Sequence, residues 1–167
     1  MKKPKKRFFN PKMEKVLNKL IKEIITTEEL NSILLEIDKI QREVFEKQNG
    51  SLSKIAKELE NHQLENYLLE LEKIYPKNPE EQFSSLEKLK KNLQIISQIR
   101  IQIAYPVSKA FLKNIVSWIE KETHKKLILD IILNPKIVGG AIIEYQGKYE
   151  NFSLEKEIDK IIREKQI

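Results

Sequence analysis

Glycine placement is the feature that most constrains this chain. The 167 residues include only four glycines, and Gly139, Gly140 and Gly147 fall close together. A sequence this sparing with glycine places one where the backbone needs a positive φ or a close approach to another segment. Gly139-Gly140 precedes the short apolar run 141–143, which is too short for a helix and predicts a strand. Gln146-Gly147 then predicts a tight hairpin turn into a second strand.

A turn is predicted directly ahead of the double glycine. Proline presets its own φ and pushes the preceding residue out of the helical region, so Asn134-Pro135 is interpreted as a turn. The segment from this turn to the hairpin is therefore interpreted as a turn followed by strand, turn and strand, with the double glycine at the entry to the first strand.

Upstream of this motif, the hydrophobic pattern changes from a helical period to a period of two near residue 97. Isoleucines at 99, 101 and 103 alternate with Arg100 and Gln102, which predicts a half-buried strand. Pro106 and Ser108 lead into a helix, and the β-branched-rich run 127–133 predicts the next strand. Strand, helix and strand in this order imply a right-handed crossover and a parallel pair.

The end of the chain predicts one more helix. Ser153 stands where a capping residue would start it. The helix is expected to turn its apolar residues inward: Leu154, Ile158, Ile161 and Ile162.

The N-terminal half is patterned for amphipathic helices throughout. Asn10-Pro11 predicts a helix start, Thr26 with Glu29 is a capping box, Asn49-Gly50 predicts a helix end, and Asn78-Pro79 predicts another start. Five helices with short loops are expected to pack as an antiparallel bundle, because short isolated helices are marginal in water.

These patterns predict an α+β fold with three segments. Residues 1–9 are a basic flexible tail and residues 10–97 are the helical bundle. Residues 98–167 are a small C-terminal α/β domain with a mixed sheet, in the order β-α-β-β-β-α. The division is placed near residue 97 because the period changes there.

The net charge of +6 is concentrated at the N-terminus. Residues 1–7 carry five basic residues and no acid, whereas residues 8–97 carry 14 basic and 16 acidic residues. The excess therefore belongs mostly to the tail, which has the chemistry to touch RNA or an anionic lipid surface but is more often a solvated end.

Little in the composition favours catalysis. The chain has no cysteine, which excludes disulfides and thiolate metal sites. The two histidines, His62 and His124, stand in polar surroundings without visible partners and are interpreted as surface residues. Asp130 lies within an apolar strand, either as a buried functional acid or, the preferred interpretation, at an outward-facing position. No catalytic, cofactor-binding or metal-binding residue is predicted.

Other functional signatures are weak or missing. The double glycine enters a strand, so it lacks the spacing of a dinucleotide-binding loop. Trp118 lies among Ile115 and Ile119 and is predicted to be in the core or at a domain interface. No apolar run reaches the length of a membrane span, and the basic N-terminus lacks the apolar stretch of a secretory signal.

Residues 99–163 resemble the delta subunit of bacterial F-type ATP synthase, the family of the mitochondrial oligomycin-sensitivity-conferring protein. The resemblance lies in four motifs that follow in the family's order. They are Ala104-Tyr105-Pro106-Val107-Ser108, Thr123-His124-Lys125-Lys126, Asn134-Pro135-Lys136-Ile137-Val138-Gly139-Gly140 and Ser153. Four positions depart from the family pattern: Asn134 replaces an acid, Asn151-Phe152 replaces Asp-Gly, and His124 stands where glycine is common.

The resemblance implies a stator subunit without a reaction of its own. Its helical bundle would grip the N-terminal helices of the alpha subunits, and its C-terminal domain would meet the C-terminal end of the b-subunit stalk. It would then lie at the cytoplasmic face of the bacterial plasma membrane and touch that membrane only through the complex. The alternative is a small RNA- or ribosome-associated protein that uses the basic tail; on the stator interpretation no nucleic acid is expected.

Overall fold

The computed structural model describes residues 11–46 and 51–164. The predicted tail over residues 1–9, the helix start at Asn10 and the helix end at Asn49-Gly50 lie outside these residues. Contacts divide the chain into two units. One contains Asn31–Ile95 and the residues up to Glu23, and the other contains Ile24–Leu30 and the residues from Ile96 onward.

The N-terminal part is helical, as predicted. Its described helices are α1 (Pro11–Glu23), α2 (Thr27–Glu46), α3 (Leu52–Ala56), α4 (His62–Ile74) and α5 (Pro79–Gln94). Helix α4 packs against α1, α3 and α5. Its Leu64, Leu68 and Leu71 are completely buried, so burial of amphipathic faces stabilises helices that would be marginal alone.

The helix starts follow from local capping chemistry. Asn61 Oδ1 accepts hydrogen bonds from the backbone N–H groups of Gln63 and Leu64, each at 3.0 Å, at the start of α4. Asn78 Oδ1 accepts from Glu81 N at 3.2 Å at the start of α5. These side chains satisfy backbone donors that have no partner within a helix. The start predicted from Asn78-Pro79 is confirmed.

Burial of Tyr67 in α4 is expected to make the free energy of unfolding fall at alkaline pH. The residue is 1% exposed, and burial raises the pKa of its hydroxyl well above the ordinary value near 10. Because the unfolded chain ionises first, the stabilisation is complete below about pH 10 and is lost as the pH rises further. Tyr67→Phe removes this ionisation and is expected to flatten the fall in unfolding free energy between about pH 9 and 11. Urea unfolding at several pH values measures it.

The matched control for that experiment is Tyr105→Phe, at an exposed tyrosine. It is expected to leave the alkaline slope as in the parent chain. An equal slope in the parent chain and in Tyr67→Phe would contradict the prediction.

The C-terminal part contains a four-stranded mixed sheet in the described residues, with strand order β2-β1-β3-β4. Its elements are β1 (Ser97–Ile103), α6 (Lys109–Thr123), β2 (Leu127–Leu133), β3 (Ala141–Tyr145), β4 (Lys148–Asn151) and α7 (Leu154–Glu164). Strands β1 and β2 pair in parallel, whereas β3 pairs antiparallel with β1 and β4. The predicted α+β class and the order β-α-β-β-β-α are confirmed.

The β3–β4 hairpin has the predicted two-residue turn. Gln146 and Gly147 both have positive φ, 50° and 75°. Two successive positive φ angles are typical of a type I′ turn, whose twist matches that of the flanking strands. The glycine at the second turn position is therefore explained by backbone conformation.

The two faces of the sheet differ sharply in polarity. One face packs Ile99, Ile101 and Leu129 against Val116 of α6. The other face carries Arg100, which pairs with Asp130 across to β2 and with Glu144 across to β3. The alternation in β1 separates the two sets because successive side chains point to opposite faces.

A short segment from the N-terminal half belongs with this sheet. Residues Ile24–Leu30, which we call the edge segment, group with the C-terminal unit, although the sequence places them in the helical bundle. Thr26 forms a parallel bridge with Leu129 at the outer edge of β2. The difference arises because Ile24 and Ile25 continue the helical apolar stripe of α1, so periodicity alone assigns them to the bundle.

Candidate docking surface on the C-terminal unit

Asn134 organises the turn that follows β2. Its backbone N donates to Ile103 O at 2.9 Å, and its side-chain Nδ2 donates to Gln102 Oε1 at 2.9 Å, which fixes the turn to the end of β1. Its Oδ1 accepts from Lys136 N at 3.1 Å, and its carbonyl accepts from Ile137 N at 3.1 Å. Pro135 lies at the tip, exposed. An asparagine side chain that bonds the backbone two residues on is a common device for closing a turn.

The rest of the motif alternates between burial and exposure. Ile137 is buried, whereas Val138 is 61% exposed. Ile137 therefore anchors the loop, and Val138 contributes an apolar side chain to the surface.

The double glycine holds the chain that leads into α7. A Cβ on Gly140 would lie 2.2 Å from the carbonyl oxygen of Phe152, and Gly140 has a φ of +81°. A Cβ on Gly139 would lie 2.7 Å from Leu154 Cδ1. Leu154 N donates to Gly139 O at 3.0 Å, and Phe152 N donates to Ala141 O at 2.9 Å. Gly140 is needed because the backbone before α7 lies directly against it, whereas Gly139 faces the end of the Leu154 side chain.

Ser153 does not act as the predicted cap. It is 1% exposed, and its Oγ has no hydrogen-bond partner among the described residues. Its backbone N instead donates to Asn151 Oδ1 at 2.8 Å. The residue precedes α7 as a capping residue would, but the small buried side chain fits the close packing against the double glycine.

The prediction that α7 turns its apolar residues inward is wrong. Leu154, Ile158, Ile161 and Ile162 are between 47% and 52% exposed. One face of the sheet is already covered by α6, and the opposite face is polar along the row that contains Arg100 and Asp130. Ile128 and Ile142 on that opposite face are buried, whereas the apolar residues of α7 remain in contact with solvent. We call these four residues the α7 stripe.

Helix α6 also departs from the prediction. Its Ser108 cap accepts from Phe111 N at 3.2 Å, and Val116, Leu112, Ile115 and Ile119 face the sheet. Trp118 is 65% exposed, so it does not lie in the core of the C-terminal unit as one of the predicted alternatives had it. Phe111, in the first turn of α6, is also exposed. Large apolar side chains in contact with solvent are typical of interaction surfaces when they gather on one element.

The charged groups on the polar face form a structural network. Arg100 Nε donates to Asp130 Oδ2 at 2.9 Å, and its Nη1 lies 3.4 Å from Glu144 Oε2. The hydrogen bond and charge of Asp130, with those of Glu144, raise the pKa of Arg100 above its ordinary value. Asp130 is thus at the outward-facing strand position that the sequence favours, where a cross-strand pair stabilises the sheet.

Both histidines are surface residues, as predicted. His62 is exposed at the first position of α4, with Nδ1 3.2 Å from Glu65 Oε2. His124 follows α6 with a φ of 54°, and its N donates to Glu120 O at 2.9 Å. This left-handed position favours glycine. Over the residues that the structure describes, no group of acidic or histidine side chains is arranged to hold a metal ion.

No helix in the described ranges is both long enough and apolar enough to cross a membrane.

The α7 stripe is the surface that the sequence analysis missed. The segment has the pattern of an ordinary amphipathic helix, and periodicity cannot tell whether its apolar face meets the same chain or another one.

Comparison with known proteins places the chain in a family. The model of the ATP synthase delta (OSCP) subunit family matches residues 12–164. Among solved structures, a chain in a cryo-EM structure of the Polytomella F-ATP synthase, in primary rotary state 3, is 20% identical. That alignment covers 41% of this chain and 88% of the other, with a TM-score of 0.36. No curated protein matches. Because the family model spans nearly the whole described chain, the protein belongs to the delta (OSCP) family of F-type ATP synthase stator subunits.

Proposed function

We propose that this chain is the subunit that joins the catalytic head of a rotary F-type ATP synthase to its peripheral stalk, so that the head does not turn with the rotor. The helical bundle would hold the N-terminal helices of the alpha subunits. The C-terminal unit would hold the C-terminal end of the b-subunit stalk, at the cytoplasmic face of a bacterial plasma membrane. The task requires tight contacts and no chemical step, so we propose that the chain is not an enzyme.

The single observation that carries the stalk contact is the exposed α7 stripe. Its members recur at i, i+4, i+7 and i+8, which places them on one side of the helix. The stripe spans about 12 Å at about 1.5 Å per residue, which is the length of about two turns of a partner helix. An amphipathic partner helix recognises such a row of apolar anchors, and the stalk supplies helices.

The stripe is held in place by the motif described above. Leu154, its first residue, donates its backbone N–H to Gly139 O and touches the position where a Gly139 side chain would lie. The double glycine thus fixes the direction in which α7 leaves the sheet. On this proposal the family motif acts by orienting the docking helix, and contact with the partner is made by α7.

Ile158→Asp tests the stalk contact. The side chain is 47% exposed, so the charge is expected to leave thermal unfolding unchanged. Burying an isoleucine at an interface contributes about 2 kcal/mol, so we expect binding of the stalk segment, the C-terminal end of the b chain, to weaken by about thirtyfold or more. Isothermal titration calorimetry with that segment measures the change.

The control variant is Lys156→Asp, which places the same new side chain on the opposite side of α7. It is expected to bind the stalk segment within about threefold of the parent chain. If both variants weakened binding of the stalk segment equally, or if neither weakened it, the assignment of the α7 stripe as the stalk contact would be wrong.

Binding to the alpha subunit forms a second arm of the experiment. An alpha N-terminal peptide is expected to bind the parent chain and Ile158→Asp equally, because the substituted side chain lies outside the helical unit and on the surface. Deletion of residues 1–7 is expected to leave that binding intact. The RNA-binding alternative predicts instead that RNA binds, that its affinity falls steeply with salt, and that deletion of the tail removes it.

A further inference from the structure

The edge segment adds a strand-like edge to the C-terminal sheet. Leu129 N donates to Ile25 O at 2.8 Å, and Thr26 bridges Leu129 in parallel. The outer edge of β2, which would otherwise present unpaired backbone groups, is therefore partly occupied by a segment from the first 30 residues of the chain.

The segment also contributes to the core of the unit. Ile25 is 3% exposed and belongs to the apolar cluster that contains Ile99, Leu127 and Leu129. The cluster would lose a buried side chain without it. Burial of an isoleucine is among the larger single contributions to the stability of a small unit.

Polar contacts tie the same segment down on both sides of the bridge. Thr27 Oγ1 donates to Asp130 Oδ1 at 3.3 Å. Glu29 Oε2 accepts from Ile25 N at 2.8 Å, and Glu29 Oε1 lies 2.6 Å from Lys109 Nζ at the start of α6. The segment is thus held by backbone, apolar and charged contacts to the sheet and to α6.

Helix α2 begins inside this segment and continues without a break beyond it. Thr27–Leu30 belongs to the C-terminal unit, whereas Asn31 onward belongs to the helical unit. Unravelling of the first turn of α2 would therefore remove the sheet edge and the helix start together, because backbone order propagates along a helix.

We propose that the edge segment couples the two units, so that a helical partner bound to the N-terminal bundle slows local opening of the sheet from which α7 projects. The consequence for partners rests on the proposed function; the dependence of the sheet on the edge segment does not. Coupling of this kind is reciprocal, so occupation of the α7 stripe would also strengthen binding at the bundle.

Hydrogen exchange on the full chain tests the first half of the proposal. Ile25→Ala is compared with Ile40→Ala, a buried isoleucine of α2 in the helical unit. We expect Ile25→Ala to speed exchange of the β2 amides, that of Leu129 included, by about tenfold more than Ile40→Ala does. Equal exchange of the β2 amides in the two variants would overturn it.

A milder variant covers the case in which Ile25→Ala does not fold. Thr27→Val keeps the shape of the side chain and removes the hydroxyl that donates to Asp130. It is expected to speed exchange at β2 by about threefold and to leave the α4 amides unchanged. An unchanged β2 in this variant would count against the coupling.

The alpha N-terminal peptide tests the second half. At saturation the peptide is expected to slow hydrogen exchange of the β2 amides in the parent chain. In Thr27→Val the slowing is expected to be at most about one third of that in the parent chain. If the peptide binds but β2 exchange is unchanged, the coupling is wrong and the stator proposal stands. If the peptide does not bind, the proposed function fails, while the comparison of Ile25→Ala with Ile40→Ala still decides the role of the edge segment.

Discussion

Gly140→Val is expected to unfold the C-terminal unit. The new Cβ would lie 2.2 Å from Phe152 O, a backbone atom that a side-chain rotation cannot move. The φ of +81° also excludes a β-branched residue from this position. Clash and strain together are expected to lower the free energy of unfolding by about 4 kcal/mol or more. Fluorescence of Trp118, the single tryptophan, reports on the unit during thermal unfolding.

Gly147→Ala separates the backbone strain of a positive φ from the steric clash of a new Cβ. Gly147 has a φ of +75°, but no atom lies within 4 Å of the place where its Cβ would be. Only the backbone preference is changed there, so the loss is expected to be about 1–2 kcal/mol. A melting temperature of Gly140→Val equal to that of the parent chain would refute the close approach of the segment before α7. Equal losses in the two variants would assign the effect to φ alone.

Glu72→Ala is expected to be the most damaging substitution of a charged residue in the helical unit. The Glu72 carboxylate accepts from Ser51 Oγ at 2.6 Å and from Ser53 N at 2.9 Å. It therefore fixes the start of α3, where Ser51 stands at the cap position without capping through its own side chain. Hydrogen bonds to a charged acceptor contribute about 1.5–3 kcal/mol each. We expect a loss of about 3 kcal/mol, measured by urea unfolding at pH 7.

The same carboxylate gives the chain an acid-sensitive component. Burial raises the pKa of Glu72, but hydrogen bonds from Ser51, Ser53 and the α3 backbone outweigh it and lower the pKa below the ordinary 4.5. A lowered folded pKa means that the stabilisation is present above about pH 4.5 and is lost as the pH falls below it. Glu72→Gln should therefore unfold with a shallower acid dependence than the parent chain.

Glu70→Gln is the matched control on the same helix. Glu70 Oε1 lies 2.6 Å from Lys73 Nζ at the surface and forms no hydrogen bond with α3 among the residues that the structure describes. Exposed pairs of this kind contribute little to stability, because solvent screens the charges. If Glu70→Gln and Glu72→Gln were equally destabilising at pH 7, the anchoring of α3 would have to lie elsewhere.

Much of the fold could be predicted because its signals are local. Asn78 and Thr26 act within three residues of themselves, so their sequence context is enough to place helix starts. The period of two in β1 and the Gln146-Gly147 turn likewise specify a strand and a hairpin from adjacent residues. The order of strands and helix then restricts the topology, since parallel crossovers are right-handed.

The surfaces were harder to predict because they depend on pairings between distant residues. Ile25 has the same periodic surroundings as a bundle residue, yet it packs against Leu129. The isoleucines of α7 have the spacing of a core face, yet each of them is about half exposed. Trp118 follows the same logic on the outer side of α6. Periodicity shows that a helix or strand has an apolar face. Whether another part of the same chain covers that face depends on how all the elements pack.

The edge segment also has a consequence for folding during synthesis at the ribosome. Thr27 and its partner Asp130 are 103 residues apart. At about 5–20 residues per second, synthesis leaves Ile25 without its sheet for about 5–20 s. Ile25, between α1 and α2, therefore stays uncovered until β2 has been synthesised.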